Sequence, residues 1–181
     1  YFGIEKNSDS KLYDQVEVLY YNTENDFAII LNTKEGEQVI LCRGAEGGNF
    51  ATIYNNIMEK AKAYTGNKKF TKNDFLKVPN IKFNTRKEFN ELCNKEFLAK
   101  DGDRCTIEQA IQTIDFELNN YGGSVKSEAL IEALKNAVFE TGRKFIYNED
   151  FILYLKEEDK EKPYFALKVD NIDVLVAGEN N

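Results

Sequence analysis

Chemistry in this chain must be sought among carboxylates, lysines, hydroxyls and three thiols, because the sequence contains no histidine. Without an imidazole there is no Ser-His-Asp triad, no Cys-His dyad and no histidine-ligated zinc site to assemble. The thiols Cys42, Cys93 and Cys105 stand far apart and form no C-x-x-C pair, which points away from a thiolate metal site. A disulfide would most readily close the short loop from Cys93 to Cys105; three free thiols, buried as small apolar groups, is the reading favoured. Carboxylates are densest at Glu157, Glu158, Asp159 and Glu161, on what reads as a hairpin tip. Paired acid–base catalysis needs partly buried carboxyls in contrasting surroundings, and a solvated turn offers neither. The glycines at 44, 47 and 48 lack the Lys-Ser/Thr of a phosphate-cradling loop and read as a plain loop. No enzymatic activity, cofactor or metal is expected from these residues.

Composition sets the frame that must position them. At 181 residues, with 42% hydrophobic residues including 13 Phe and 10 Tyr, the chain is expected to form a single domain over 1–181. A chain of this size buries roughly 70% of its unfolded surface. Its net charge of -7 is the wrong sign for phosphate binding, and the lysines alternate with acids rather than cluster, so nucleic acid is not an expected partner. No apolar run approaches the roughly 20 residues that span a bilayer, so membrane insertion is not expected either. The chain begins at Tyr1 rather than methionine, and an upstream segment of the same protein is expected to have been removed or omitted.

Periodicity predicts the elements. Residues 16–22 (VEVLYYN) and 26–33 (DFAIILNT) read as a hairpin, and residues 38–43 add a third strand to an antiparallel meander. Asn49 is placed to cap a helix in which Phe50, Ile53, Ile57, Ala61 and Tyr64 recur at helical spacing, with Gly66 beyond it as a stop. Residues 75–83 (FLKVPNIKF) read as strand, with Pro79 at an edge, bulge or junction because it has no N–H to donate. Residues 85–93 read as a short helix with Phe89 and Leu92 turned inward. Residues 110–118 end as an alternating strand, Ile114, Phe116 and Leu118 on one face and Asp115 and Glu117 on the other. Residues 127–141 (SEALIEALKNAVFET) carry a helical stripe that Gly142 would end. Strands are expected again over 145–155, 164–169 and 173–176. The fold class that follows is α+β, mostly antiparallel strands with packed helices.

Four of these blocks, taken in order, resemble the C-terminal half of the serpin fold. Residues 16–33 look like the two-strand unit at the centre of that family's second sheet. KVPNIKF at 77–83, followed by Phe89 and Leu92, resembles its strand-and-helix step. Residues 110–122 align without a gap with the long strand that enters the reactive loop. FILYL at 151–155 and FALKV at 165–169 are similar to the terminal hairpin. Departures are Asp150 for the usual proline, Ala166-Leu167 for Met-Gly, Gln112 for a common histidine, Asn120 for the hinge glutamate, and the added strand at 38–43.

The resemblance implies a protease inhibitor that traps a serine or cysteine protease through a reactive loop. On it the hinge maps to Gly122, Gly123 and Ser124, and the reactive bond to Lys135, Asn136, Ala137, Val138 or Phe139. It also implies an extracellular or cell-envelope location, no cofactor, and an N-terminal half beyond this chain. The same residues admit a second expectation: a non-inhibitory, serpin-derived binding or structural module in which 127–141 is a packed helix.

Overall fold

The computed structural model describes residues 1–6, 8–34, 36–119 and 142–170. A short strand β1 (Phe2–Ile4) and one helical turn α1 (Ser10–Tyr13) lead into the predicted meander, β2 (Val16–Thr23), β3 (Asp26–Asn32) and β4 (Glu37–Arg43). The cross-strand register runs Val16↔Leu31 to Thr23↔Asp26, then Phe27↔Arg43 to Asn32↔Gln38. β2 carries two irregularities, after Val18 and after Tyr21. The α2 helix (Phe50–Ala63) follows, its Asn49 side chain accepting from the Thr52 amide at 2.9 Å. Such a cap contributes about 1 kcal/mol. The segment then continues through β5 (Phe75–Val78) and β6 (Ile81–Glu88). Pro79 sits at the junction of these two strands, where no ladder bond needs its nitrogen.

The described residues gather into two compact units, residues 1–80 with 119 onward, and Ile81–Leu118. In the first unit, β11 (Phe151–Glu157) and β12 (Phe165–Val169) join the meander in a five-stranded antiparallel sheet of order β12-β11-β4-β3-β2. The apolar runs AII, VILC and FILY are near-continuous because this sheet is buried on both faces. Tyr20, Ala28, Ile30, Ile40, Cys42, Ile152 and Tyr154 pack on one side against Ile53, Tyr54, Ile57 and Ala61 of α2. On the other side Phe27 meets Phe145 and Tyr147 edge-on, at centroid distances of 5.3 and 5.1 Å. Phe145 belongs to β10 (Lys144–Ile146), which lies parallel to β5 in a three-stranded sheet of order β1-β5-β10. The run 145–155, read as one strand, is therefore two: 144–146 pairs with β5 and 151–157 with β4.

The second unit is a ribbon. β6 pairs antiparallel with β9 (Ile111–Leu118) over eight positions, Ile81↔Leu118 to Glu88↔Ile111. Between them β7 (Glu96–Leu98) and β8 (Arg104–Thr106) form a hairpin whose turn uses Gly102 at φ +93°. The helix expected over 85–93 is not present. Thr85 to Glu88 stay in the ladder opposite Ile114 to Ile111, which pairs the backbone groups that face β9, and only Asn90–Leu92 makes a 3-10 turn. Leu92 is exposed rather than inward, as is Phe50 on α2, whose buried face is Ile53, Tyr54, Ile57 and Ala61. The chain is α+β, mostly antiparallel. Residues 127–141 and 173–176 lie outside the described residues.

Candidate functional site

The residues that flank the segment to which the resemblance assigns function are β9 and Gly142–Arg143. Gly122, Gly123, Ser124, Lys135, Asn136, Ala137, Val138 and Phe139 themselves lie outside the described residues. Upstream, β9 leads to them with the expected alternation: Phe116 is buried and faces Phe83 across the ladder, ring centroids 5.6 Å apart. On the other face Glu117 pairs with Lys82 at 3.1 Å, both half-exposed, a geometry worth at most about 1 kcal/mol.

Downstream, the chain is held at Gly142 and Arg143. Gly142 runs so close to the Asn73 carbonyl that a Cβ there would overlap its oxygen. The amide of Arg143 donates to Asp74 Oδ1 at 3.0 Å, and its carbonyl accepts from the Phe75 amide at 2.9 Å. Its guanidinium forks onto the same carboxylate, Nε to Oδ1 at 3.0 Å and Nη2 to Oδ2 at 2.8 Å, and also donates to the carbonyls of Asn67 and Lys69. Asp74 is oriented by Thr71, through its amide at 2.7 Å and its hydroxyl at 3.0 Å. Burial alone would raise the Asp74 pKa, but the Arg143 guanidinium and the Thr71 and Arg143 amides outweigh it and hold the carboxyl below its usual range. For Arg143 burial acts against the charge and the Asp74 carboxylate outweighs it, so its pKa is raised.

Beyond Arg143 the chain is fastened by side chains. Phe145 is fully buried among Tyr21, Phe27 and Phe70. The Tyr147 hydroxyl donates to the Leu41 carbonyl at 3.0 Å. Arg43, also buried, donates to the Ile146 carbonyl at 2.9 Å and to Asn148 at 3.0 Å, and is ion-paired with Glu149. None of these partners was legible from spacing. Asp74 and Arg143 are 69 positions apart, and Gly142 read only as a helix stop.

The remaining chemistry-bearing groups are placed elsewhere. Glu157, Glu158, Asp159 and Glu161 are exposed at the β11–β12 turn, where the Lys156 ammonium donates to the carbonyls of Glu157, Glu158 and Lys160. All three cysteines are free, and Cys105 stands opposite Phe97, not Cys93. Cys42 is buried beneath α2 with its sulfur 3.2 Å from the Tyr20 hydroxyl; burial pushes its thiol up to about 11. Among the described residues no three His, Cys, Asp or Glu side chains group closely enough to hold a metal. A groove of about 340 Å³ beside the first turn of α2 is lined by Phe50, Tyr54, Tyr154 and Tyr164. Its phenol hydroxyls are committed to the Glu161 carbonyl, the Phe50 carbonyl and the Glu37 carboxylate, respectively for Tyr54, Tyr154 and Tyr164.

No protein-family model matches the chain, and no curated protein is significantly similar to it. Among solved structures it is similar to Serpin48, described as a highly specific serpin in the insect Tenebrio molitor. The two share 15% identity at a TM-score of 0.48, over 84% of this chain and 43% of that one. The chain thus spans less than half the length of that serpin.

Proposed function

We propose that this chain is the C-terminal part of a serpin-like protease inhibitor, trapping its target through a reactive loop after the Gly122-Gly123 hinge. One observation carries the reading. β9, paired along its whole length with β6, ends at Leu118; the described residues resume at Gly142 and enter β10; and the β11–β12 hairpin follows. That is the order expected from the sequence resemblance. Gly122, Gly123 and Ser124 are small enough for a strand-inserting hinge, and glycine accepts the dihedrals of such a transition. The target is a serine or cysteine protease cleaving at Lys135, Asn136, Ala137, Val138 or Phe139. Ala137 or Val138 suits an elastase-like or subtilisin-like enzyme, and Phe139 a chymotrypsin-like one. On this reading the protein is an inhibitor rather than an enzyme, uses no cofactor, and works outside the cell or in its envelope. Its sheet is completed by an N-terminal segment of the same protein.

A second reading, a non-inhibitory binding or structural module, is favoured by Lys126 and Glu128. In an inserted strand, alternation would put them on the face of Gly122 and Ser124, and turning that face inward would bury two charges at a cost of several kcal/mol each unless paired. The two readings separate on incubation of the protein, at the full length its gene encodes, with the three protease types. Inhibition requires a covalent complex that survives denaturing electrophoresis. Cleavage within 135–139 without such a complex eliminates it and leaves the module.

A further inference from the structure

We propose that Lys77 is a site of covalent modification by small aldehydes, which its side-chain amine captures as an imine. The site owes nothing to the protease-directed reading and lies within the first unit. Three charged side chains are buried among the described residues: Arg43, Asp74 and Lys77. Arg43 is paired with Glu149 and Asp74 with Arg143. Lys77 is 8% exposed, and among the described residues its ammonium has neither a carboxylate nor a hydrogen-bond acceptor. What meets it is the face of the Tyr1 ring, with the centroid 4.2 Å away. A buried ammonium left without a carboxylate relieves its desolvation by giving up its proton, and a lysine desolvated in this way is a nucleophile toward carbonyl carbon.

The sheet builds this environment. Lys77 lies on β5, the central strand of the order β1-β5-β10, directly opposite Gly3 and Ile146, neither of which carries a charge. Gly3 runs so close to the Leu76 carbonyl that a Cβ would overlap its oxygen, so no side chain is admitted opposite the lysine. Lys144, opposite Phe75 and so on the same face, is ion-paired with Glu24 at 3.2 Å. The other titratable groups on this face are the phenol and amino group of Tyr1; the latter has its pKa lowered by burial and then by Lys77. For Lys77 itself burial lowers the pKa. Its nitrogen is not sealed in: among the described residues the enclosed side-chain polar atom without a partner is Asn80 Oδ1. In the reaction the Nζ lone pair attacks the aldehyde carbon. The carbonyl oxygen then leaves as water with both amine protons, and a C=N bond remains. A small aldehyde suits the site because the Tyr1 ring and the neighbouring strands leave room for little more.

The test exposes the full-length protein to acetaldehyde with cyanoborohydride, whose hydride reduces an imine to a stable ethylamine. The ethylated lysines are mapped by mass spectrometry after a timed pulse. At neutral pH Lys77 should be labelled at least about threefold faster than Lys82 and Lys168, which are exposed and paired with Glu117 and Asp170. That advantage should shrink as pH rises toward the ordinary lysine value of about 10.4, where every amine is largely free. It should vanish in urea-unfolded protein. Labelling of Lys77 no faster than the two controls at neutral pH overturns the proposal. So does an advantage that stays constant with rising pH, which would mean that the reagent gathers there without meeting a freer amine. An advantage that survives unfolding also overturns it, because local sequence and not the fold would then be the cause.

Discussion

Truncating Phe145 to alanine tests whether the return strand is where it has been placed. The ring is fully buried, with the rings of Tyr21, Phe27 and Phe70 at centroid distances of 5.1, 5.3 and 5.6 Å. Removing a ring of this size forfeits its transfer free energy, about 2–3 kcal/mol, and each aromatic pair adds roughly 0.5–1.5 kcal/mol beyond buried area. The neighbours will relax partly into the gap, and Phe→Ala changes in cores cost about 3–5 kcal/mol, so we expect about 4 kcal/mol. For a chain of this length that corresponds to a drop in Tm of about 8–16 °C. Urea unfolding followed by circular dichroism would read the loss as a lower midpoint at unchanged slope. Glu59→Ala, at an exposed position in the middle of α2, is the control and should stay within about 0.5 kcal/mol of the parent. If Phe145→Ala costs no more than the control, the ring does not sit among these aromatics. The account of β10 as the fixed downstream anchor would then be wrong.

Asp74 predicts a pH dependence with a definite sign. Its folded pKa lies below the unfolded value of about 3.9, so its contribution to stability is complete above that value. The contribution is lost as pH falls through the folded pKa. The stability advantage of the parent over Asp74→Asn, measured by urea unfolding, should be flat at neutral pH and shrink below about pH 4; an advantage growing with acidity would contradict the ion pair. For the thiols, alkylation of the native protein near neutral pH should label Cys93 and Cys105 well before Cys42. Cys42 is fully buried and its thiol is pushed up to about 11, so both access and thiolate are scarce. Mass spectrometry after a timed pulse gives the order, and early labelling of Cys42 would refute its burial.

Much of the fold was legible residue by residue. The β2–β4 meander announces itself in β-rich runs broken by polar turns. Asn49 marks the start of α2, and the alternation of Ile114, Phe116 and Leu118 against Asp115 and Glu117 is what β9 adopts. Of the edge, bulge or junction open to Pro79, the structure takes the junction of β5 and β6. These signals are local: dihedral preference, capping and side-chain period all act within a few residues. The helix expected over 85–93 failed because its residues have a ladder partner in 111–114, and a distant partner overrides weak local propensity.

The candidate site divides along the same line. Sequence alone supplied the order on which the serpin resemblance rests: a strand, a glycine pair, a charged and apolar segment, and a hairpin. It also determined that no imidazole chemistry is available. The contacts that fix residues 143–149 were decided only by tertiary structure. Asp74 and Arg143 are 69 positions apart, and Arg43 reaches Asn148 across 105. Ion pairs and buried aromatics gain their strength from being brought together and desolvated. That happens when β5, β10 and the five-stranded sheet assemble, and no spacing along the chain encodes it.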